Sequence, residues 1–168
     1  MEPSELAALH TRLQALGATV AVAESLTGGL VTAALTETPG ASATVRGGLV
    51  VYATELKAVL AGVDVSLLEL RGAVDPEVAT ELARGARLRL GATIGIGVTG
   101  VAGPDPQDGQ PVGTVFVAAT TERSARVEEW HLDGDRAAVR AGAVAVCLDL
   151  LADVADELAE ARGLAGES

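Results

Sequence analysis

Residues 19–29, TVAVAESLTGG, change abruptly from an apolar run to a short turn that ends in two glycines. The run contains Val20 and Val22 and is almost continuously apolar, as is typical of a strand with helices on both faces. The turn is followed by residues 30–36, whose pattern suits a helix. This stretch therefore predicts a strand–turn–helix unit inside an α/β sheet.

The rest of the chain continues the alternation of strands and helices on either side of this unit. Apolar runs and helical spacing predict further strands at 47–52, 93–99, 113–121 and 126–132, and helices at 6–16, 55–60, 76–90 and 135–158. We expect a three-layer α/β/α fold with a mixed, mostly parallel sheet. We also expect one domain over residues 1–168, with a flexible tail at about 163–168.

The composition argues against several classes of function. The 168 residues include 12 basic and 23 acidic side chains, which give a net charge of −11. This charge is opposite to that of nucleic-acid-binding surfaces and of surfaces that dock on anionic lipid. Cys147 is the only cysteine, no ligand cluster has zinc spacing, and no apolar run has the length of a membrane span. We expect a cytoplasmic protein without metal, nucleic-acid or membrane partners.

Ser25 lies between a predicted strand and a predicted helix and is followed by Thr27, Gly28 and Gly29. Small residues at this position let backbone N–H groups point at a ligand, and a helix N-terminus favours negative charge. The turn thus suits a bound anion or the oxyanion of an acyl intermediate. A simpler interpretation is that Ser25 only caps the helix.

Lys57 is the only lysine among 12 basic residues, because the other 11 are arginines. Arginine does not lose its proton in proteins, whereas a desolvated lysine can act as a base. A single lysine in this chain therefore suggests chemistry that arginine cannot perform, although it is equally compatible with a surface charge. Tyr52, the only tyrosine, is predicted at the end of the second strand, where its side chain and that of Lys57 can converge on one pocket.

The glycines at 95, 97 and 100 match a dinucleotide-binding string, G-x-G-x-x-G. Gly95 and Gly97 fall inside a predicted strand, and the following segment cannot open a helix, so this interpretation is disfavoured. Glycines in a strand more often permit the close approach of a backbone or a ligand.

A loop rich in glycine and proline follows the predicted strand at 93–99. In open α/β sheets, ligands bind at the carboxyl ends of strands, so Thr99, Gly100 and Gly103 are candidate binding residues. Arg136 and Arg140 are i,i+4 neighbours near the start of the last helix and suit a phosphate. The alternative is a solvated helix face paired with nearby acids.

Several stretches in this order resemble the CinA C-terminal domain family, which includes stand-alone nicotinamide-nucleotide amidohydrolases. The resemblance extends from about position 6 to 158. It rests on residues 23–29 (AESLTGG), 47–57 (GGLVVYATELK), 72–74 (GAV), 97–104 (GVTGVAGP), 111–115 (PVGTV) and 134–136 (GDR) with Arg140.

The resemblance implies a mixed-sheet α/β/α fold and hydrolysis of the amide of nicotinamide mononucleotide to the acid and ammonia. It implies that Ser25 is the nucleophile, that Lys57 and Tyr52 complete the proton-transfer set, and that Thr99 and Arg140 hold the nucleotide. N–H groups from Thr27 to Gly29 would stabilise the oxyanion, and no cofactor is required. We also expect a homo-oligomer, a dimer or larger.

The chain departs from the family pattern in four places. Leu26 stands where cysteine is usual, Ala53-Thr54 replaces Ser-Asn, Asp75 replaces serine, and Gln110 replaces lysine. The residues that the resemblance assigns to catalysis all remain, but the change at Ala53-Thr54 adjoins the site. The main alternative function is therefore a nucleotide-binding module of the same fold without catalysis, and a phosphoryl-transfer enzyme is a distant third.

Overall fold

A five-stranded mixed sheet forms the centre of the protein in the computed structural model, which describes residues 1–163. The strands run in the order β2-β1-β3-β4-β5. Their bounds are β1 (Val20–Glu24), β2 (Val45–Val50), β3 (Ile94–Gly100), β4 (Thr114–Thr120) and β5 (Ala125–His131). Strand β1 pairs in parallel with β2 and β3, whereas β4 pairs antiparallel with β3 and β5. Thus β4 alone runs against the other four described strands.

Helices cover both faces of the sheet, which confirms the three-layer α/β/α prediction. Their bounds are α1 (Pro3–Ala15), α2 (Leu30–Thr36), α3 (Thr54–Ala61), α4 (Val65–Arg71), α5 (Pro76–Leu90) and α6 (Arg136–Ala161), with a 3₁₀ turn at Ala41–Ala43. Val20 and Val22 pack in one core with α1, α2 and α6. Ala21 and Ala23 pack in a second core with α3, α4 and α5.

The structure agrees with the predicted order of elements and differs at two places. Strand β2 ends at Val50, so Tyr52 lies beyond the strand rather than at its end. Helix α4 was not predicted; Asp64 begins it by accepting a hydrogen bond from the N–H of Ser66. Asp135 caps α6 as expected, because its carboxylate accepts from the N–H of Ala138. The tail predicted at 163–168 lies, beyond Gly163, outside the described residues.

Glycines allow α5 to lie very close to the sheet. A Cβ at Gly95 would overlap the carbonyl oxygen of Ala83, and a Cβ at Gly97 would overlap that of Ala79. Gly85 of α5 makes the same kind of approach to the carbonyl of Ala61 at the end of α3. The glycine string in β3 therefore serves helix packing, as the sequence context indicated, and not a dinucleotide turn.

The core contains the single cysteine. Cys147 lies in α6 and is fully buried, and burial raises the pKa of its thiol well above the usual value. A thiol in this setting behaves as a small apolar side chain. Among residues 1–163, no helix is both long and apolar enough to cross a membrane.

Candidate active site

A cavity of about 260 Å³ opens at the edge of the sheet where the parallel strands end. Ser25 directly follows β1, Tyr52 follows β2, and Thr99 and Gly100 end β3. The walls consist of Ser25, Leu26, Tyr52, Ala53, Thr54, Ala73, Val74, Thr99, Gly100, Val101, Ala102, Gly103, Asp105, Gln107 and Arg136. The cavity thus lies at the carboxyl ends of neighbouring parallel strands, the usual ligand position in such sheets.

Six of the eleven predicted site residues line this cavity, and five do not. Those on the wall are Ser25, Tyr52, Thr99, Gly100, Gly103 and Arg136. Those that do not line it are Thr27, Gly28, Gly29, Lys57 and Arg140.

Ser25 presents a free hydroxyl to the cavity. The residue is 8% exposed, and its N–H donates to the carbonyl of Val98 at 3.1 Å. Its own carbonyl accepts from the N–H of Gly28 at 3.1 Å. Within residues 1–163 the hydroxyl has no hydrogen-bond partner, so both its proton and its oxygen are available to a ligand and to a base.

Lys57, in α3, is held beneath the same corner of the sheet. Its side chain is 1% exposed, and Nζ donates to the carbonyls of Val51 at 2.9 Å and Tyr52 at 3.3 Å. The N–H of Val51 in turn donates to the carbonyl of Glu24, the residue before Ser25. A neutral amine has two N–H donors and one lone pair, so these two carbonyls take the donors and leave the lone pair free.

Burial lowers the pKa of Lys57 from 10.5 to about 8. The negative charges of Asp108 and, to a smaller extent, Glu55 oppose this shift. A buried ammonium loses its hydration, which favours the neutral form. A substantial fraction of Lys57 is therefore an unprotonated base in mildly alkaline solution.

Tyr52 and Arg136 meet at the mouth of the cavity. Tyr52 is 59% exposed, and its hydroxyl accepts from Nη2 of Arg136 at 3.0 Å. Nη1 of Arg136 donates to the carbonyl of Gly103 at 2.7 Å. The backbone of Tyr52, and not its phenol, contacts Lys57, which differs from the expected proton-relay arrangement.

Arg140 stabilises the turn after β1 by binding two of its backbone carbonyls. Its Nε donates to the carbonyl of Leu26 and its Nη2 to that of Thr27, each at 3.0 Å. Helix α6 packs against α2, and this packing directs Arg140 under the turn while Arg136 reaches the cavity mouth. The two arginines therefore do not form the joint phosphate site that their spacing suggested.

The glycine N–H groups of the turn are also engaged, contrary to the expected oxyanion role. The N–H of Gly28 donates to Ser25, and that of Gly29 donates to the carboxylate of Glu24 at 2.9 Å. The hydroxyl of Thr27 donates to the same carboxylate at 2.8 Å. Sequence reasoning missed Glu24, although a carboxylate at the end of a fully buried strand requires donors of this kind.

Asp108 is a second residue that the sequence did not reveal. Its carboxylate accepts from the N–H groups of Ala73 at 2.7 Å and Val74 at 3.3 Å, both on the cavity wall. The hydroxyl of Thr99 donates to the carbonyl of Ala73 at 2.6 Å. Asp108 and Thr99 thereby hold the part of the wall formed by Ala73 and Val74 in place. The described part of the chain contains no group of three or more His, Cys, Asp or Glu side chains arranged to hold a metal ion.

A family model described as the CinA C-terminal domain matches residues 4–155. The chain belongs to the CinA C-terminal domain family. A CinA-like protein of Frankia casuarinae is 51% identical over 134 residues, which cover 80% of this chain and 31% of that protein. A CinA-like protein of Acidobacterium capsulatum is 46% identical over 140 residues, covering 83% and 34%. The chain thus spans about a third of the length of these relatives.

Solved structures of the CinA superfamily share the fold. A superfamily protein from Klebsiella pneumoniae superposes with a TM-score of 0.86 at 30% identity, covering 92% of this chain and 98% of that one. A competence/damage inducible protein from Agrobacterium tumefaciens gives 0.86 at 34% identity, covering 90% and 94%.

The departures from the CinA pattern have different structural settings. Leu26 is buried and packs in the core beside α2, so it extends that core where cysteine is usual. Asp75 caps α5 by accepting from the N–H of Glu77 at 2.7 Å, a role that serine also fills. Ala53 and Thr54 line the cavity, so this replacement changes the surface that meets a ligand.

Proposed function

We propose that this CinA-family chain hydrolyses the carboxamide of nicotinamide mononucleotide to nicotinic acid mononucleotide and ammonia. The observation that carries the proposal is Lys57, a buried lysine whose pKa is lowered to about 8 and whose donors are occupied by two carbonyls. Such a lysine is suited to remove a proton, and the free hydroxyl of Ser25 lies at the same corner of the sheet. Serine activated by a base is an established arrangement for acyl transfer, and the hydrogen bond between the two groups often forms only when the substrate is bound.

The reaction proceeds in two halves. Lys57 takes the proton of the Ser25 hydroxyl, through a water or after the two groups approach on substrate binding, while Oγ bonds to the amide carbon and the carbonyl oxygen becomes an oxyanion. The proton passes to the amide nitrogen, the C–N bond breaks and ammonia leaves. Water, deprotonated by Lys57, then attacks the acyl ester, releasing the carboxylic acid and restoring the Ser25 hydroxyl.

Arg136 is the group we assign to the phosphate. Its guanidinium lies on the cavity wall and is held by Tyr52 and Gly103 at the mouth. A guanidinium binds phosphate through charge-assisted hydrogen bonds, and the exchange of a phenol for a phosphate is favourable. The aromatic ring of Tyr52 remains at the entrance as an apolar surface for the substrate.

Ammonia release from nicotinamide mononucleotide by the purified protein tests the proposal. Parallel measurement of nucleotide binding by calorimetry distinguishes the alternative function. Release of ammonia with formation of the acid supports the amidase. Tight binding without any ammonia release would instead support a non-catalytic nucleotide-binding module.

Arg136→Ala is expected to raise the KM for nicotinamide mononucleotide by roughly 10- to 100-fold, the equivalent of one lost hydrogen-bonded charge contact. The KM for nicotinamide riboside, which lacks the phosphate, should change little. Steady-state kinetics on both substrates measure the difference.

Arg123→Ala is the matched control, because Arg123 lies in the turn between β4 and β5 and is absent from the cavity wall. Its KM values should equal those of the wild type. If Arg136→Ala raises the KM of both substrates equally, Arg136 does not bind the phosphate.

A further inference from the structure

The carboxylate of Glu24 is completely buried directly before Ser25. Oε2 accepts from the Thr27 hydroxyl at 2.8 Å, the Gly29 N–H at 2.9 Å and the Val31 N–H at 3.0 Å. Oε1 accepts from the N–H and the hydroxyl of Thr32 at 2.8 and 2.6 Å. Five donors therefore surround one side chain that does not reach the cavity.

This carboxylate determines which N–H groups of the turn remain free. The N–H groups of Gly29, Val31 and Thr32 bond to it, while Gly28 and Leu30 donate to carbonyls within the turn. In the stretch after Ser25, up to the first turn of α2, only the N–H groups of Leu26 and Thr27 have no acceptor among residues 1–163. Leu26 also lines the cavity.

The orientation of the two free N–H groups is fixed by hydrogen bonds to the carbonyl groups of the same peptide units. The peptide between Ser25 and Leu26 is fixed because its carbonyl accepts from Gly28. The peptide between Leu26 and Thr27 is fixed because its carbonyl accepts from Nε of Arg140. In a planar trans peptide the N–H points away from the carbonyl, so both N–H groups point away from these partners.

We infer that the free N–H of Leu26, the one of the two that belongs to a residue of the cavity wall, donates to the oxyanion, and that Glu24 is a positioning residue which holds the turn around it. Glu24, at the end of β1, bonds to the Thr27 side chain and to the start of α2. These bonds fix the backbone of Ser25 and Leu26, the two residues between Glu24 and Thr27. Its charge is compensated by its five donors and by the helix N-terminus. This inference rests on the proposed amidase function.

Glu24→Gln tests the inference with little change of volume. The amide retains one acceptor oxygen, but its NH₂ group cannot accept from Thr32, so the turn loses part of its anchoring. We expect kcat on nicotinamide mononucleotide to fall by about 10²-fold, as when an oxyanion donor is misplaced. KM should stay within about threefold of the wild-type value, because ground-state binding does not use this donor.

The pH profile separates positioning from a general loss of structure. Glu24→Gln should keep the wild-type rise of kcat with pH, with its midpoint near 8, because Lys57 is untouched. If Glu24→Gln only unfolded part of the protein, fewer molecules would be active, but kcat per active site would stay at the wild-type value. Active-site titration counts the active sites and so distinguishes the two cases.

Thr27 provides a second pair of variants should Glu24→Gln fold poorly. Thr27→Val keeps the shape but removes the hydroxyl that donates to Glu24, whereas Thr27→Ser keeps that donor. We expect Thr27→Val to lower kcat by roughly tenfold, a net loss of one charge-assisted hydrogen bond, and Thr27→Ser to restore most of it.

The outcomes are distinct. A kcat loss at unchanged KM in Glu24→Gln and Thr27→Val, with recovery in Thr27→Ser, supports the inference. An active wild type together with fully active Glu24→Gln and Thr27→Val overturns the inference alone. A wild type that releases no ammonia overturns the amidase proposal and the inference with it.

Discussion

Replacement of Ser25 by alanine is expected to lower ammonia release from nicotinamide mononucleotide by about 10⁴-fold or more, the usual loss when a nucleophile is removed. The hydroxyl has no partner among the described residues, so its removal leaves no buried polar group unsatisfied. The melting temperature should therefore shift by less than about 3 °C, the equivalent of less than 1 kcal/mol. Calorimetric binding of the nucleotide should persist.

Ser42→Ala is the matched control for this substitution. Ser42 is an exposed serine in the 3₁₀ turn before β2, away from the cavity, so the variant should retain full activity. Near-wild-type turnover in Ser25→Ala would show that another group attacks the amide.

Lys57→Arg and Lys57→Met are both expected to lower kcat by at least about 10²-fold, the lower range for the loss of a general base. Arginine keeps the positive charge but does not deprotonate, and methionine keeps most of the length without the amine. If Lys57→Arg retains most of the activity, Lys57 contributes only charge, and the base lies elsewhere.

The pH dependence supplies an independent test of Lys57. Because the neutral amine is the active form, wild-type kcat should rise with pH through about 8, and this rise should be absent in both variants. The folded-state pKa lies below the unfolded value of 10.5, so between about 8 and 10.5 the unfolded chain binds more protons. The free energy of unfolding of the wild type, relative to Lys57→Met, should therefore increase with pH across that window.

The magnitude of this stability change follows from the linkage. Each pKa unit corresponds to about 1.4 kcal/mol, so the full window represents at most a few kcal/mol. Below pH 8 the lysine is protonated in both the folded and the unfolded state, so the stability difference between the wild type and Lys57→Met should be constant there. Urea denaturation at several pH values measures both effects.

The sequence predicted the layers and the succession of strands and helices along the chain, because hydrophobic periodicity reports which faces are buried. It also predicted the corner of the sheet at which Ser25, Tyr52 and Thr99 meet, since these residues follow or end parallel strands. Lys57 was singled out by composition, as the one lysine among eleven arginines. Its burial is the physical reason that a lysine differs from an arginine here, because burial lowers the pKa of the amine.

The roles of the remaining groups depend on tertiary packing that local patterns do not contain. The spacing of Arg136 and Arg140 is correct for one helix face, but the packing of α6 against α2 sends Arg140 to the carbonyls of Leu26 and Thr27. Asp108 reaches Ala73 across 35 positions of sequence and shows no local pattern. Glu24 had a readable signal, since it is the one charged residue of a buried strand.

The close contact between α5 and the sheet has a consequence for the range of molecules that this protein can accept. Because the backbones of α3, α5 and β3 already touch at Gly85, Gly95 and Gly97, strand β3, whose end lines the cavity, cannot move toward α5 to enlarge it. A bulkier or longer substrate must be accommodated at the rim, in the loop after β3 or at Ala53 and Thr54. Efforts to engineer substrate breadth should therefore diversify the rim and leave the glycine-packed layer unchanged.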